Sequence, residues 1–188
     1  MQECKKQLMK MIAPLAAVLT AGAALALAAA PALAALKEGA KAPEIVARGA
    51  LAGKPMTFDL AKALQKGPVV LYFFPAAFTP GCNIEAQAFA EAIPDFEKAG
   101  ATVIGMTAGN TDQLADFSGK HCAGKFAVAA TTPAIVKGYD VALPNNASGW
   151  TNRTTYVIAK DGRVALAYSD LKPQDHITKS LAAVRALR

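Results

Sequence analysis

The reading turns on one stretch, Val-Val-Leu-Tyr-Phe-Phe-Pro-Ala-Ala-Phe-Thr-Pro-Gly-Cys-Asn-Ile-Glu-Ala-Gln, residues 69–87. Residues 69–74 are six apolar, β-prone side chains without a break, the pattern of a strand buried on both faces of a sheet. Pro75 ends that ladder, Thr79, Pro80 and Gly81 make a turn, and helical periodicity begins at residue 83. Cys82 therefore sits at a helix entry just beyond a central strand. Unpaired backbone N–H groups and the positive end of the helix dipole meet there. An ordinary thiol is only about a few per cent ionised at neutral pH, and such a setting favours the thiolate.

Working outward, the remaining pattern predicts an alternation of strands and helices. Ile45 and Val46 form a short strand, residues 56–60 alternate as an edge or hairpin strand, and residues 61–66 make a helical turn. Residues 83–99 read as a helix with Phe89, Ile93 and Phe96 on one face. Pro94 predicts a kink or restart near Ala92. Gly100 is placed to end that helix, and residues 101–107 form a second buried strand. Asn110 or Thr111 caps a helix through Gly119, residues 126–130 make a strand, and Pro133 opens a short helix. Lys-Asp-Gly-Arg (160–163) between two apolar runs marks a hairpin. Pro173 opens a last helix, with Ile177, Leu181 and Val184 facing inward. This order fits an α/β sandwich around a central mixed β-sheet flanked by helices. Neither G-x-G-x-x-G nor a Walker lysine occurs, which excludes the common nucleotide-binding loops.

The front of the 188-residue chain reads differently. Lys5, Lys6 and Lys10 precede an apolar run over 11–30, and Ala32-Leu33-Ala34 supplies a small-residue cleavage site. That is a secretory signal peptide over 1–34, cleaved after Ala34. The competing reading is an uncleaved membrane anchor, since the run approaches the length of a span. Cys4 lies in the basic region, away from the cleavage point, which argues against lipid attachment there. Residues 35–188 then form a single domain, exported to a bacterial periplasm and without stable membrane association. Loss of three lysines and one glutamate leaves that domain a net charge of +4. No run of Lys or Arg interleaves with aromatics, so nucleic acid is not an expected partner.

Only Cys82 and Cys122 remain after cleavage. In an exported protein such a pair is a structural disulfide or a redox couple. His121 and His176 add no metal-ligand spacing, so zinc is not expected. Around Cys82, Thr79 can bring its hydroxyl to the sulfur, Pro75 can shield the pocket, and Glu85 in the first helical turn can orient another side chain. Arg153, at the start of the strand over 154–159, is the candidate cation, provided that strand borders the first one. Phe78 and Trp150 are possible pocket residues, and His121 is expected to be exposed.

Pro75-Ala76-Ala77-Phe78-Thr79-Pro80-Gly81-Cys82 resembles the P-x-x-x-T-x-x-C active-site pattern of peroxiredoxins. The Thr-Pro-Gly-Cys core is similar to the bacterioferritin-comigratory, or PrxQ, branch, and the likeness extends over nearly all of residues 35–188. The resemblance implies a thioredoxin-like fold and thiol-dependent reduction of hydrogen peroxide or organic hydroperoxides, with no metal or organic cofactor. It implies that Cys82 is the peroxidatic nucleophile and that Thr79 binds the peroxide. Pro75 would shield the sulfenic acid and Arg153 would stabilise the thiolate. Many members of the branch carry a second cysteine five residues on, where this chain has Gln87. Cys122 matches the alternative resolving position, which implies an intramolecular disulfide recycled by a thioredoxin-like or other dithiol protein. Monomer or weak dimer is the expected assembly. Ala76, Ala77 and Phe78 replace charged residues common after the proline, giving an apolar pocket mouth. The rival readings are an exported thiol–disulfide oxidoreductase and a non-enzymatic copper- or thiol-binding protein. The first needs Cys-x-x-Cys but has Glu85 at the second position, and the second lacks Cys-x-x-x-Cys.

Overall fold

A computed structural model describes residues 36–188; the expected signal peptide, its expected cleavage site and Cys4 lie outside the described residues. Seven strands form one sheet in the order β2-β1-β5-β4-β3-β6-β7. Strands β1 (Val46–Leu51) and β2 (Lys54–Asp59) make an antiparallel hairpin at one edge. Strands β3 (Val69–Phe73), β4 (Thr102–Thr107) and β5 (Ala127–Ala130) are mutually parallel. β6 (Thr154–Ile158) runs antiparallel to β3, and the hairpin to β7 (Val164–Ser169) closes the other edge.

Alternation along β3 divides the core. Val70, Tyr72 and Phe74 face helices α2 (Pro80–Lys98), α3 (Leu114–Lys120) and α5 (Gln174–Ala186), packing with Phe89, Phe96, Phe117 and Val184. Val69, Leu71 and Phe73 face α1 (Leu60–Lys66) and α4 (Pro133–Gly138) on the opposite side, with Leu60, Ile135, Tyr139 and Tyr156. Every β3 residue is buried, as the unbroken apolar run requires of a strand covered on both faces. The mixed sheet between two helical layers is the expected architecture.

Three local expectations need correction. The long helix begins at Pro80 and not at residue 83, because Thr79 is the N-cap and Pro80 brings a preset φ to the first helical position. Cys82 is thus the third helical residue, and Glu85 lies in the second turn. Pro94 causes no restart: α2 continues to Lys98. Proline cannot donate to the carbonyl four residues earlier, and that orphaned Ala90 oxygen instead accepts from Lys125 Nζ at 3.0 Å. Nor do Asn110 or Thr111 cap α3 directly. Residues Thr111–Gln113 form a 3₁₀ turn first, and Asn110 adopts φ 55° with its amide used elsewhere.

Other boundary signals act as read. At the end of α2, the Gly100 N–H bonds to the Glu97 carbonyl and the Ala101 N–H to that of Phe96, with Gly100 at φ 75°. That is the paired bond pattern of a Schellman motif, and it needs the left-handed residue that glycine supplies. It delivers the chain directly into β4.

Candidate active site

The register of β6 against β3 builds the site. Phe73 pairs with Thr154, so the residues just before β6 lie beside those just after β3. Thr151 Oγ1 donates to the Phe74 carbonyl at 2.7 Å, tying the two segments. Two positions further along β6's approach, the Arg153 side chain turns back over the start of α2. Its Nη2 lies 3.6 Å from Cys82 Sγ, its Nη1 binds Glu85 Oε2, and its Nε donates to the Leu171 carbonyl at 2.9 Å. Gly81 makes room for this: a Cβ there would stand 3.2 Å from Nη2. The arginine expected from the sequence is therefore in place, and for the register reason anticipated.

The loop between β3 and α2 is fastened from β4. The Thr107 hydroxyl donates to the Pro75 carbonyl at 3.0 Å, the Ala77 N–H to Gly109 at 3.2 Å and Asn110 Nδ2 to Ala77 at 2.8 Å. The first intrahelical bond of α2 runs from the Asn83 N–H to Thr79 at 2.9 Å, so the Gly81 and Cys82 N–H groups precede it as free donors. Cys82 itself is buried. The Thr79 hydroxyl donates to the Ala76 carbonyl at 3.0 Å and makes no bond to the sulfur. Pro75 is half-buried at the end of the strand.

Glu85 is fully buried and binds Arg153, the side chain it was placed to orient. Burial raises its pKa and the Arg153 contact lowers it; burial prevails, pushing the carboxyl up to about 8. Phe78 borders the site in a left-handed conformation, φ 62°. Its ring stacks edge-on against Phe117 at 5.4 Å and His121 at 5.3 Å, with Lys120 Nζ 5.8 Å from its centre. His121 is consequently half-buried, contrary to the expected exposure, and burial followed by Lys120 lowers its pKa. Trp150 is half-buried in the loop before Arg153, its carbonyl accepting from the Leu143 N–H at 2.9 Å. Ile84, two residues after Cys82, and Leu171, whose carbonyl accepts from Arg153 Nε, are exposed at 54% and 65%.

Cys122 follows α3 and is completely buried in the same core layer as Cys82. Burial alone pushes its thiol well above the ordinary range. Both cysteines are free. The Tyr72 hydroxyl, also buried, has no hydrogen-bond partner. Burial, then Cys122, Glu85 and Cys82, hold its pKa far above the usual phenol value, so it lies among these groups. Tyr72 and His176, which packs behind Glu85, are site residues that the motif did not reveal. Among the described residues no three His, Cys, Asp or Glu side chains converge as metal ligands. A cavity of about 410 Å³, lined by Phe58, Ile93, Val103 and Lys62, lies toward the opposite end of the sheet and contains none of these groups.

A thiol in the first turn of a helix, beneath an arginine and at the carboxyl end of a thioredoxin-type strand, defines a peroxiredoxin-class site. Residues 39–167 match the AhpC/TSA family, and the chain belongs to it. A chloroplastic peroxiredoxin Q of Sedum lineare is 32% identical over 138 residues, spanning 72% of each chain. The structure of peroxidoxin BcpB from Mycobacterium tuberculosis superposes with a TM-score of 0.72 at 26% identity, covering 81% of this chain and 99% of that one. The bacterioferritin comigratory protein of Xanthomonas campestris, described for its alkyl peroxide reduction activity, gives 0.63 at 27% identity, covering 74% and 90%. The chain is thus a thiol-dependent peroxidase of the PrxQ and Bcp branch. That membership does not favour the oxidoreductase and copper-binding readings.

Proposed function

We propose that Cys82 is the peroxidatic nucleophile and Cys122 the resolving thiol of a cycle that reduces hydrogen peroxide and organic hydroperoxides. The 3.6 Å approach of Arg153 Nη2 to Cys82 Sγ carries this reading. A cation there stabilises the thiolate and then the charge that develops on the departing oxygen. The Cys82 thiolate attacks the terminal peroxide oxygen, the S–O bond forms as the O–O bond breaks, and the leaving alkoxide or hydroxide takes a proton. Thr79 turns its hydroxyl from Ala76 to the peroxide, and Pro75 covers the sulfenic acid. Alkyl hydroperoxides are the favoured class, supported by Phe78, Ile84 and Leu171 about the site and by the Xanthomonas neighbour's activity.

Cys122 then attacks the sulfenic sulfur, water leaves, and an external dithiol protein reduces the disulfide by exchange. A disulfide needs Cα atoms within about 7 Å. Because Cys122 is fully buried after α3, the first turn of α2 and the end of α3 open locally to join the sulfurs. We further propose that residues 1–34 are a signal peptide, that the mature domain acts in a bacterial periplasm, and that it is a monomer or weak dimer.

The test is to mix reduced protein with one equivalent of cumene hydroperoxide and count free thiols by mass spectrometry. Loss of two thiols and formation of one Cys82–Cys122 disulfide within seconds is expected. Oxidation no faster than that of a small-molecule thiol would overturn the assignment.

A further inference from the structure

Behind the Arg153–Glu85 pair lies a polar layer that the peroxide chemistry leaves unused. His176, the third residue of α5, is fully buried. Its Nε2 lies 2.8 Å from the Asp170 carbonyl, which can only accept, so Nε2 carries hydrogen. Burial is the main cause that lowers the ring's pKa to about 4, assisted by Arg153 and opposed by the Asp170 bond. The ring is therefore neutral at neutral pH. Its Nδ1 presents a lone pair, 2.8 Å from the Thr155 hydroxyl.

Glu85 Oε1 stands 3.9 Å from that same Nδ1 and is buried without a hydrogen-bond partner. Oε1 and the Nδ1 lone pair are two acceptors facing each other, and one proton placed on Oε1 converts that repulsion to a hydrogen bond. With a neutral imidazole the contact is no ion pair, and burial already drives Glu85 toward its protonated form. We propose that Glu85 carries a proton on Oε1 directed at His176 Nδ1, and that His176 is thereby a positioning residue for Cys82. A neutral Glu85 holds the Arg153 guanidinium in place without cancelling its charge, which stays available to the sulfur. The gap closes to hydrogen-bond length by a shift of about 1 Å. Nδ1, with its single lone pair, then receives Oε1–H in exchange for the Thr155 hydroxyl.

The titratable and charged groups around the pair come from every neighbouring element. They are Cys82 on α2, Tyr72 on β3, Arg153 before β6, Tyr168 on β7, Asp170 and Lys172 in the following turn, and Asp175 and Lys179 on α5. Arg153 is the cation in contact with Glu85, so ionisation of Glu85 changes the charge that Cys82 faces. The rate of Cys82 oxidation has, on this basis, an alkaline limb. The alkaline limb is the fall in rate as Oε1 loses its proton.

The inference rests on Cys82 as the reacting thiol, and stopped-flow oxidation over a range of pH tests it with two variants. His176→Gln can keep a donor toward the Asp170 carbonyl but removes Nδ1. The alkaline limb is expected to move down by about one pH unit, with several-fold loss of rate just above neutrality. His176→Asn returns an acceptor near the Nδ1 position and is expected to restore the limb. An unmoved limb in His176→Gln, or equal displacement in both variants, would overturn the proposal. Infrared spectroscopy of the reduced wild-type protein is independent of folding of the variants. A buried protonated-carboxyl band is expected at neutral pH, absent from Glu85→Gln, with the His176 ¹⁵N resonance titrating in step with it. Absence of the band, or independent titration of the ring, overturns the proposal whatever the kinetics. Failure of the Cys82 assignment is distinguishable: no fast Cys82 oxidation would occur at any pH, and the band would persist.

Discussion

Cys82 and Cys122 share one core layer and are both buried, yet their surroundings differ in kind. Cys82 lies in the first turn of α2 with two free backbone donors and a guanidinium beside its sulfur. Cys122 follows the end of α3 among Phe117, Phe126 and other apolar groups, and burial alone acts on its thiol. Burial is thus not what makes a cysteine reactive; the neighbouring donors and charges are. The comparison assigns the two thiols different conditions for reaction. In the proposed cycle the first reacts where it stands, and the second reacts once its segment opens.

The largest effect that tests this difference is loss of the nucleophile. Cys82→Ser is expected to lower peroxide reduction by at least about 10³-fold, since burial alone acts on the remaining Cys122 thiol and holds it in the protonated form. Rapid peroxide consumption in that variant would reverse the assignment of the two thiols. Arg153→Met comes next, at roughly 10²- to 10³-fold in the rate of Cys82 oxidation, the range for removing one group that stabilises developing charge. Breaking a buried ion pair usually destabilises by about 3–5 kcal/mol. Here the loss should be smaller, because Glu85 already favours the neutral form and is not left as a bare charge. Chemical denaturation of Arg153→Met checks that point. For Cys122→Ser the first oxidation should proceed at the wild-type rate, while sulfenic acid at Cys82 accumulates and proceeds to sulfinic acid with excess peroxide. Wild-type turnover with a dithiol protein in that variant would remove Cys122 from the cycle.

The polar network on the Cys82 side also predicts how stability follows pH. Glu85 moves from an ordinary 4.5 up to about 8 on folding, so its contribution is full below 4.5 and is lost as pH rises through 8. His176 moves from 6.5 down to about 4, so folding binds fewer protons and its contribution is lost as pH falls from 6.5 through 4. Between 4.5 and 6.5 the two slopes oppose, giving a plateau. Above the plateau stability should decline by up to about 1.4 kcal/mol per pH unit, one proton's worth, until Glu85 is ionised. Glu85→Gln should flatten that decline, measured by denaturation at pH values from 6.5 to 8. An unchanged decline would place the titration elsewhere.

Much of this was legible from residue pattern because it depends on local chemistry. The buried run in β3, the Gly100 helix end, the Asp-Gly hairpin and Cys82 at a helix entry all follow from nearest neighbours. Arg153 became legible only through a conditional statement about which strands are adjacent, and strand adjacency is a property of the whole sheet. His176 is not legible as a site residue because its partners, Glu85, Thr155 and Asp170, come from three separate segments. One signal was present: His176, Ser180 and Val184 recur every fourth residue along α5 and all are buried, so two polar residues occupy an inward stripe. The helix start was misplaced by three residues because Thr-Pro-Gly reads equally well as a turn, and only the Thr79–Asn83 bond resolves it.

The smallest expected effect concerns what holds the Cys122 segment closed. Lys125 bridges it to α2: its N–H bonds to the Cys122 carbonyl at 2.9 Å, while its Nζ reaches the Ala90 carbonyl that Pro94 leaves without a donor. Ala90 lies on the same helix that carries Cys82, so this lysine ties the Cys122 segment to the helix bearing Cys82. Lys125→Ala removes one charge-assisted bond at a part-buried oxygen, a loss of about 1 kcal/mol. If Cys122 reacts from a locally opened state, a loss confined to the closed form raises the open population about fivefold. The disulfide-forming step should accelerate by that factor while the initial oxidation of Cys82 stays unchanged, as two phases of one stopped-flow trace would report. Equal rates in variant and wild type would mean that the Lys125 tie persists in the open state, and that opening is confined to the α2 end of the pair.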